Sequence, residues 1–123
     1  MISSRKRILV IDDDPDIGAM LKMMLEFKGY KTSVTERAEK IKNLINKDHI
    51  DLIILDMLLS GVNGTDICSN LKKDSATANI PVIMISAHPN ARELCEASGA
   101  DSFVAKPFDM HDMLSRITAL LKN

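Results

Sequence analysis

The sequence predicts an α/β fold: a doubly wound, five-stranded parallel sheet with five helices on its two faces. Three observations predict it. Short aliphatic runs rich in β-branched residues lack the in–out alternation of a half-exposed strand, so they read as strands buried on both faces. Stretches with apolar residues at helical spacing separate these runs. The two element types alternate along 123 residues, the length of one ordinary domain, as βα units do.

The first run, Ile8 to Ile11, ends in Asp12, Asp13 and Asp14. Asp14 suits a helix N-cap and Pro15 the first helical position. Ile17, Met20, Leu21, Met24 and Leu25 follow at helical spacing as a core-facing stripe, and Gly29 suits the C′ position. Lys31 to Val34 reads as a short second strand. Ala38, Ile41, Leu44 and Ile45 mark the second helix. Leu52 to Leu55 is an all-aliphatic third strand ending at Asp56. Gly61 and Gly64 flank a loop, and a helix carrying Ile67 and Leu71 follows. Pro81 opens the fourth strand, Val82 to Ile85, which ends at Ser86. A short helix from about Ala91 to Ala97 is closed by Gly99. Ser102 to Ala105 is the fifth strand, ending at Lys106 and Pro107. Asp109 caps a last helix with Met113, Leu114, Ile117, Leu120 and Leu121. Right-handed crossovers leave few topologies, and the flavodoxin-like strand order 2-1-3-4-5 is the one expected. Residues 1–123 read as a single domain, with no repeat, linker or further domain.

Composition narrows the function. Hydrophobic residues make up 46% of the chain but aromatics only 3%, so the core is aliphatic, with eight Met to fill irregular gaps. The formal net charge of -1 offers no excess to follow a phosphate backbone, so direct nucleic-acid binding by this chain is not expected. Arg5, Lys6 and Arg7 read as a solvated lead-in to the first strand. Cys68 and Cys95 have neither CxxC spacing nor clustered histidines, and read as small helix residues, not as a zinc or redox site. There is no signal-peptide stretch and no membrane-length apolar run, so a soluble cytoplasmic protein is expected.

The chemistry gathers where the strands end. Side chains just past the carboxyl ends of parallel strands surround a common crevice. Asp12 and Asp13 come from the first strand, Asp56 from the third, Ser86 from the fourth and Lys106 from the fifth. An Asp after a strand is ordinarily a turn residue or cap; what lifts this set is the shared rim and the complementary chemistry. Three close carboxylates repel one another, and a hard divalent cation relieves that. Mg²⁺ suits a few carboxylates, retained waters and a phosphate oxygen, whereas a Ca²⁺ cage needs more protein oxygens. Such a rim suits phosphoryl transfer to a carboxylate nucleophile, with Lys106 supplying charge and Ser86 a hydroxyl donor.

The segments Ile8-Leu9-Val10-Ile11-Asp12-Asp13-Asp14, Leu52-Ile53-Ile54-Leu55-Asp56, Ile83-Met84-Ile85-Ser86-Ala87 and Lys106-Pro107-Phe108 resemble, in order, the signatures of response regulator receiver domains of two-component signalling. The resemblance covers essentially the whole chain. It implies Asp56 as phosphoacceptor, Asp13 and the Leu58 backbone carbonyl as further metal ligands, and Asp12 acting through metal-bound water. It implies Ser86 and Phe103 as the switch pair, Lys106 as the family's lysine, and a cis bond between Lys106 and Pro107. Leu58 and His88 occupy variable positions that tune the lifetime of the phosphoryl group. Ser60 stands where Pro is usual, which is expected to loosen the loop.

The implied function is a phosphorelay switch. A sensor histidine kinase or phosphotransfer protein donates to Asp56, Ser86 and Lys106 close on the new group, and Phe103 turns inward. The face made by the fourth helix, fifth strand and fifth helix then changes for a downstream protein. The chain is expected to catalyse only its own phosphorylation and dephosphorylation. Homodimerisation through the fourth and fifth helices is left open. Rival readings are a haloacid-dehalogenase-like hydrolase with Asp12 as nucleophile of a D-x-D formed with Asp14, a flavin carrier on the same topology, and a receiver serving only as a docking module. A flavin carrier needs a Ser/Thr/Gly-rich phosphate loop after the first strand, and three aspartates stand there instead.

Overall fold

Every aliphatic run becomes a strand of one sheet in the computed structural model, which describes residues 5–122. The elements are β1 (Arg7–Ile11), α1 (Pro15–Phe27), β2 (Lys31–Thr35), α2 (Ile41–Lys47), β3 (Leu52–Asp56), α3 (Gly64–Lys73), β4 (Val82–Ser86), α4 (Ala91–Ala97), β5 (Ser102–Ala105) and α5 (Met110–Leu121). The order across the sheet is β2-β1-β3-β4-β5, with every neighbouring pair parallel, as expected.

The period-two pleat splits the core into two layers. Ile8, Val10, Leu52, Ile54, Ile83, Ile85 and Val104 face one way, against Leu21 and Leu25 of α1 and Met113 and Ile117 of α5. Leu9, Ile11, Ile53, Leu55, Val82, Met84 and Phe103 face the other way, against Ile41, Cys68, Leu71, Ala91 and Cys95 on α2, α3 and α4. Both layers bury aliphatic side chains, which is why no alternation was visible in the strands. Burying each such side chain is worth about 1.5–3 kcal/mol.

The cap residues act as expected. The Asp14 carboxylate accepts from the Asp16 N–H, and Asp109 accepts from the His111 N–H. Gly29 has φ +98°, the left-handed conformation that a helix-ending C′ residue needs.

Three details differ from the sequence reading. The stripe on α1 is carried by Leu21 and Leu25, while Met20 lies at its exposed edge. On α3 it is Cys68, next to the half-buried Ile67, that is fully buried. The loop after β3 folds into a small antiparallel hairpin, Leu58–Leu59 pairing Val62–Asn63. Two-residue strands are too short to leave a periodic signal, so the sequence showed only a loop. No helix among the described residues is long and apolar enough to cross a membrane.

Candidate functional site

The strands deliver their terminal polar residues to one rim, as the topology requires. Asp12 directly follows β1, and its N–H donates to the Thr35 carbonyl, so it continues the strand and points a carboxylate into the rim with no solvent exposure. Asp56 ends β3 and is 6% exposed. Asp13 is half-buried beside them. One carboxylate oxygen from each of Asp12, Asp13 and Asp56 lies within 4.8 Å of the others.

Lys106 closes the cluster from β5. Its Nζ donates to Asp56 Oδ2 at 3.1 Å and stands 3.1 Å from Asp12 Oδ2. The Lys106 N–H donates to the Ser86 carbonyl at 2.8 Å, which ties the β5 end to the β4 end. The peptide bond into Pro107 is cis, as the family resemblance implied. The Leu58 N–H donates to the other Asp56 oxygen, Oδ1, at 3.2 Å.

Charge and burial compete here. Burial pushes the Asp56 carboxyl above the usual carboxylate range; the Lys106 hydrogen bond pulls it down, the Asp12 charge pushes it up, and the net direction is upward. Burial pulls the Lys106 ammonium down, but its two carboxylate partners hold it, on balance, above the ordinary lysine value.

The cluster has the properties of a divalent-cation site. Asp12 Oδ1 accepts from the Asp14 N–H at 2.9 Å, whereas the buried Oδ2 has no aligned hydrogen-bond donor. The Lys106 ammonium is close enough to pair with it by charge but does not complete a hydrogen bond. That ammonium is shared with Asp56, so the clustered carboxylates carry more charge than it neutralises, and a divalent cation would supply the rest. An all-oxygen set of three carboxylates fits the hard ion Mg²⁺.

The remaining expected residues are placed as follows. Ser86 is 2% exposed, and its Oγ accepts from the His88 N–H at 3.0 Å. Phe103 is 5% exposed, already turned inward, with the Arg92 guanidinium 5.2 Å from its ring centroid. His88 is exposed, and its Nδ1 accepts from the Asn90 N–H at 3.2 Å. Leu58 is 55% exposed on the hairpin. Asp14 does not join the cluster: its carboxylate is spent on the α1 cap, which leaves the D-x-D reading without its second acid.

Two residues gain roles that the sequence reading missed. Gly64 opens α3 directly under Asp56: its N–H donates to the Met57 carbonyl at 2.6 Å, and a Cβ there would collide with the Asp56 carbonyl and lie 2.8 Å from the Met57 Cα. A Gly at the first residue of a helix was the only available hint. Ser60, expected to loosen the loop, instead fastens it: its N–H and Oγ both donate to Asp13 Oδ2, at 3.0 and 2.7 Å. A contact across 47 positions of chain leaves no trace in local sequence.

The comparisons with known proteins agree with this geometry. A family model described as the response regulator receiver domain matches residues 8–118. The DNA-binding dual master transcriptional regulator RpaA of Synechocystis is 40% identical over 118 residues, which are 94% of this chain and 49% of RpaA. The DNA-binding response regulator MtrA of Mycolicibacterium smegmatis is 35% identical over 99% of this chain and 53% of its own. The chain thus spans about half the length of the curated relatives it matches. Among solved structures, the response regulator TrrA of Thermotoga maritima in complex with Mg²⁺-BeF superposes with a TM-score of 0.84 at 30% identity, covering 94% of this chain and 99% of that one. A two-component response regulator from Clostridium difficile gives a TM-score of 0.87 at 26% identity, covering 97% and 98%. With the fold, the acidic rim and the family match in agreement, the chain belongs to the response regulator receiver domains of two-component signalling.

Proposed function

We propose that Asp56 is the phosphoacceptor of a Mg²⁺-dependent switch. One observation carries this reading: Asp56 is the acid that Lys106 and the Leu58 N–H grip from both sides, in a cluster with two further carboxylates. Asp13, Asp56 and the Leu58 carbonyl would hold the ion directly, and Asp12 through water. When bound, Mg²⁺ screens the carboxylate from the incoming phosphoryl oxygens and neutralises charge in the transition state. That the TrrA neighbour was solved with Mg²⁺-BeF supports this assignment.

The donor is a phosphohistidine on a sensor histidine kinase or phosphotransfer protein. An Asp56 carboxylate oxygen forms the new O–P bond as the P–N bond breaks, and the leaving imidazole takes up a proton. The product carries about -1.5 to -2 charge, by analogy with other phosphorylated side chains. Lys106 keeps its ammonium beside the acceptor, and the Ser86 hydroxyl leaves the His88 N–H to donate to the phosphoryl group. Phe103 is already inward, so its motion is a tightening against α4, with Arg92 on its outer side. The face made by α4, β5 and α5 is what a downstream protein, or a second copy of this chain, reads.

The chain acts on itself, with no separate substrate to turn over, and works in the cytoplasm. DNA binding belongs to the names of relatives twice as long. With a net charge of -1, the segment in hand contributes phosphoryl reception and not phosphate-backbone binding.

Incubation with acetyl phosphate and Mg²⁺, followed by Phos-tag electrophoresis, tests the assignment. The wild type is expected to shift and Asp56→Asn to stay unshifted; an undiminished shift in the variant overturns it. Hydrolysis of a phosphate ester lost in Asp12→Asn would favour the hydrolase instead.

A further inference from the structure

The proposal here rests on the Mg²⁺ reading and concerns a residue outside the three acids. Ser60 sits in the hairpin after β3, and its two donors converge on a single oxygen, Asp13 Oδ2. Among the described residues, no donor reaches Asp13 Oδ1. Ser60 thus holds through Oδ2 a carboxylate that also belongs to the three-acid cluster. Asp13 needs such a clamp more than its neighbours do. Asp12 is buried and held by the Asp14 N–H, and Asp56 is held by Lys106 and the Leu58 N–H. Asp13 is half-buried, and Ser60 holds it from a segment 47 positions away.

We propose that Ser60 is the positioning residue for the Mg²⁺ ligand Asp13, fixing its carboxylate for the ion and linking the β3–α3 hairpin to the β1 end. An Ala at this position removes the hydroxyl and keeps the N–H, whereas a Pro removes both donors. Partners that orient a ligating carboxylate typically matter about 10–100-fold in metal affinity. The charge-assisted bond from Oγ, at 2.7 Å, is the shorter of the two.

The test is a calorimetric Mg²⁺ titration of the whole chain, with thermal melting in EDTA beside it. Ser60→Ala is expected to bind Mg²⁺ about tenfold more weakly while melting in EDTA close to the wild type. Ser60→Pro loses more, and Ser60→Thr, which keeps both donors, recovers the affinity. Wild-type or tighter Mg²⁺ affinity in Ser60→Ala overturns the proposal, and so does failure of Ser60→Thr to recover. Asp13→Asn is the control and loses the ion in either case. If the wild type itself takes up no Mg²⁺, the Mg²⁺ reading falls and this proposal with it; if only Ser60→Ala behaves as wild type, the proposal alone falls.

Discussion

Asp12 and Asp56 share one lysine, and that arithmetic governs the chemistry of the rim. Two buried carboxylates face a single ammonium 3.1 Å from each. Without a cation, burial keeps the Asp56 proton bound more tightly in the folded chain than in the unfolded one. The sign follows: the contribution of Asp56 is fully present below its unfolded pKa and is lost as pH rises through the raised folded value. In EDTA, Asp56→Asn is therefore expected to melt above the wild type at neutral pH, with the gap closing toward pH ~4, near the unperturbed carboxylate value. Equal melting curves across that range would show the crowding to be fully relieved by Lys106. Mg²⁺ is expected to raise the wild-type melting point and leave that of Asp56→Asn nearly unmoved. Cys68 and Cys95 are free and buried, and burial, reinforced by Cys68 and other neighbouring groups, pushes the Cys95 thiol up to about 11. Neither is expected to react with iodoacetamide at pH ~8 in the native state, since the thiolate is the nucleophile; both should react in urea. Labelling of the native chain would contradict the packing of α3 and α4 against the sheet.

At the scale of elements, the junction of β3 and α3 is the most constrained. Gly64 begins α3 where a side chain would strike the Asp56 carbonyl. Helix propensity alone favours Gly64→Ala by up to about 1 kcal/mol. The steric conflict works the other way, and overpacking costs about 1–3 kcal/mol. Gly64→Ala is thus expected to lower urea stability by about 1 kcal/mol or more and to slow phosphorylation by displacing the acceptor. Unchanged stability and rate would mean the helix start shifts freely. The ten main elements were legible because their signals are local: aliphatic runs, 3.6-residue stripes, Asp14 and Asp109 as caps, Gly29 past a helix end. The hairpin at Leu58–Leu59 and Val62–Asn63 was not, because it is fixed by contacts with distant chain, among them Ser60 on Asp13. Met20 was misplaced for a related reason: a helical stripe has edges, and periodicity does not say which edge the sheet reaches.

At the scale of the molecule, the parallel sheet turns four separate strand ends into one site. Asp12, Asp13, Asp56, Ser86 and Lys106 were readable together because every β-strand of such a sheet ends on the same side. Their order of importance was not readable from position alone. It comes from the geometry, in which Asp56 is the acid gripped by both Lys106 and the Leu58 N–H. The Phe103 ring packs in the layer with Ala91 and Cys95 of α4, and the Arg92 guanidinium of the same helix lies 5.2 Å from its centroid. The central claim is the identity of the acceptor, and reductive trapping tests it most directly. Borohydride converts an aspartyl phosphate to homoserine, which peptide mass spectrometry places in the sequence. After treatment with acetyl phosphate and Mg²⁺, homoserine is expected at position 56 alone, and absent when EDTA replaces Mg²⁺. Homoserine at Asp12 or Asp13, or none at Asp56 in a phosphorylated sample, would contradict the account.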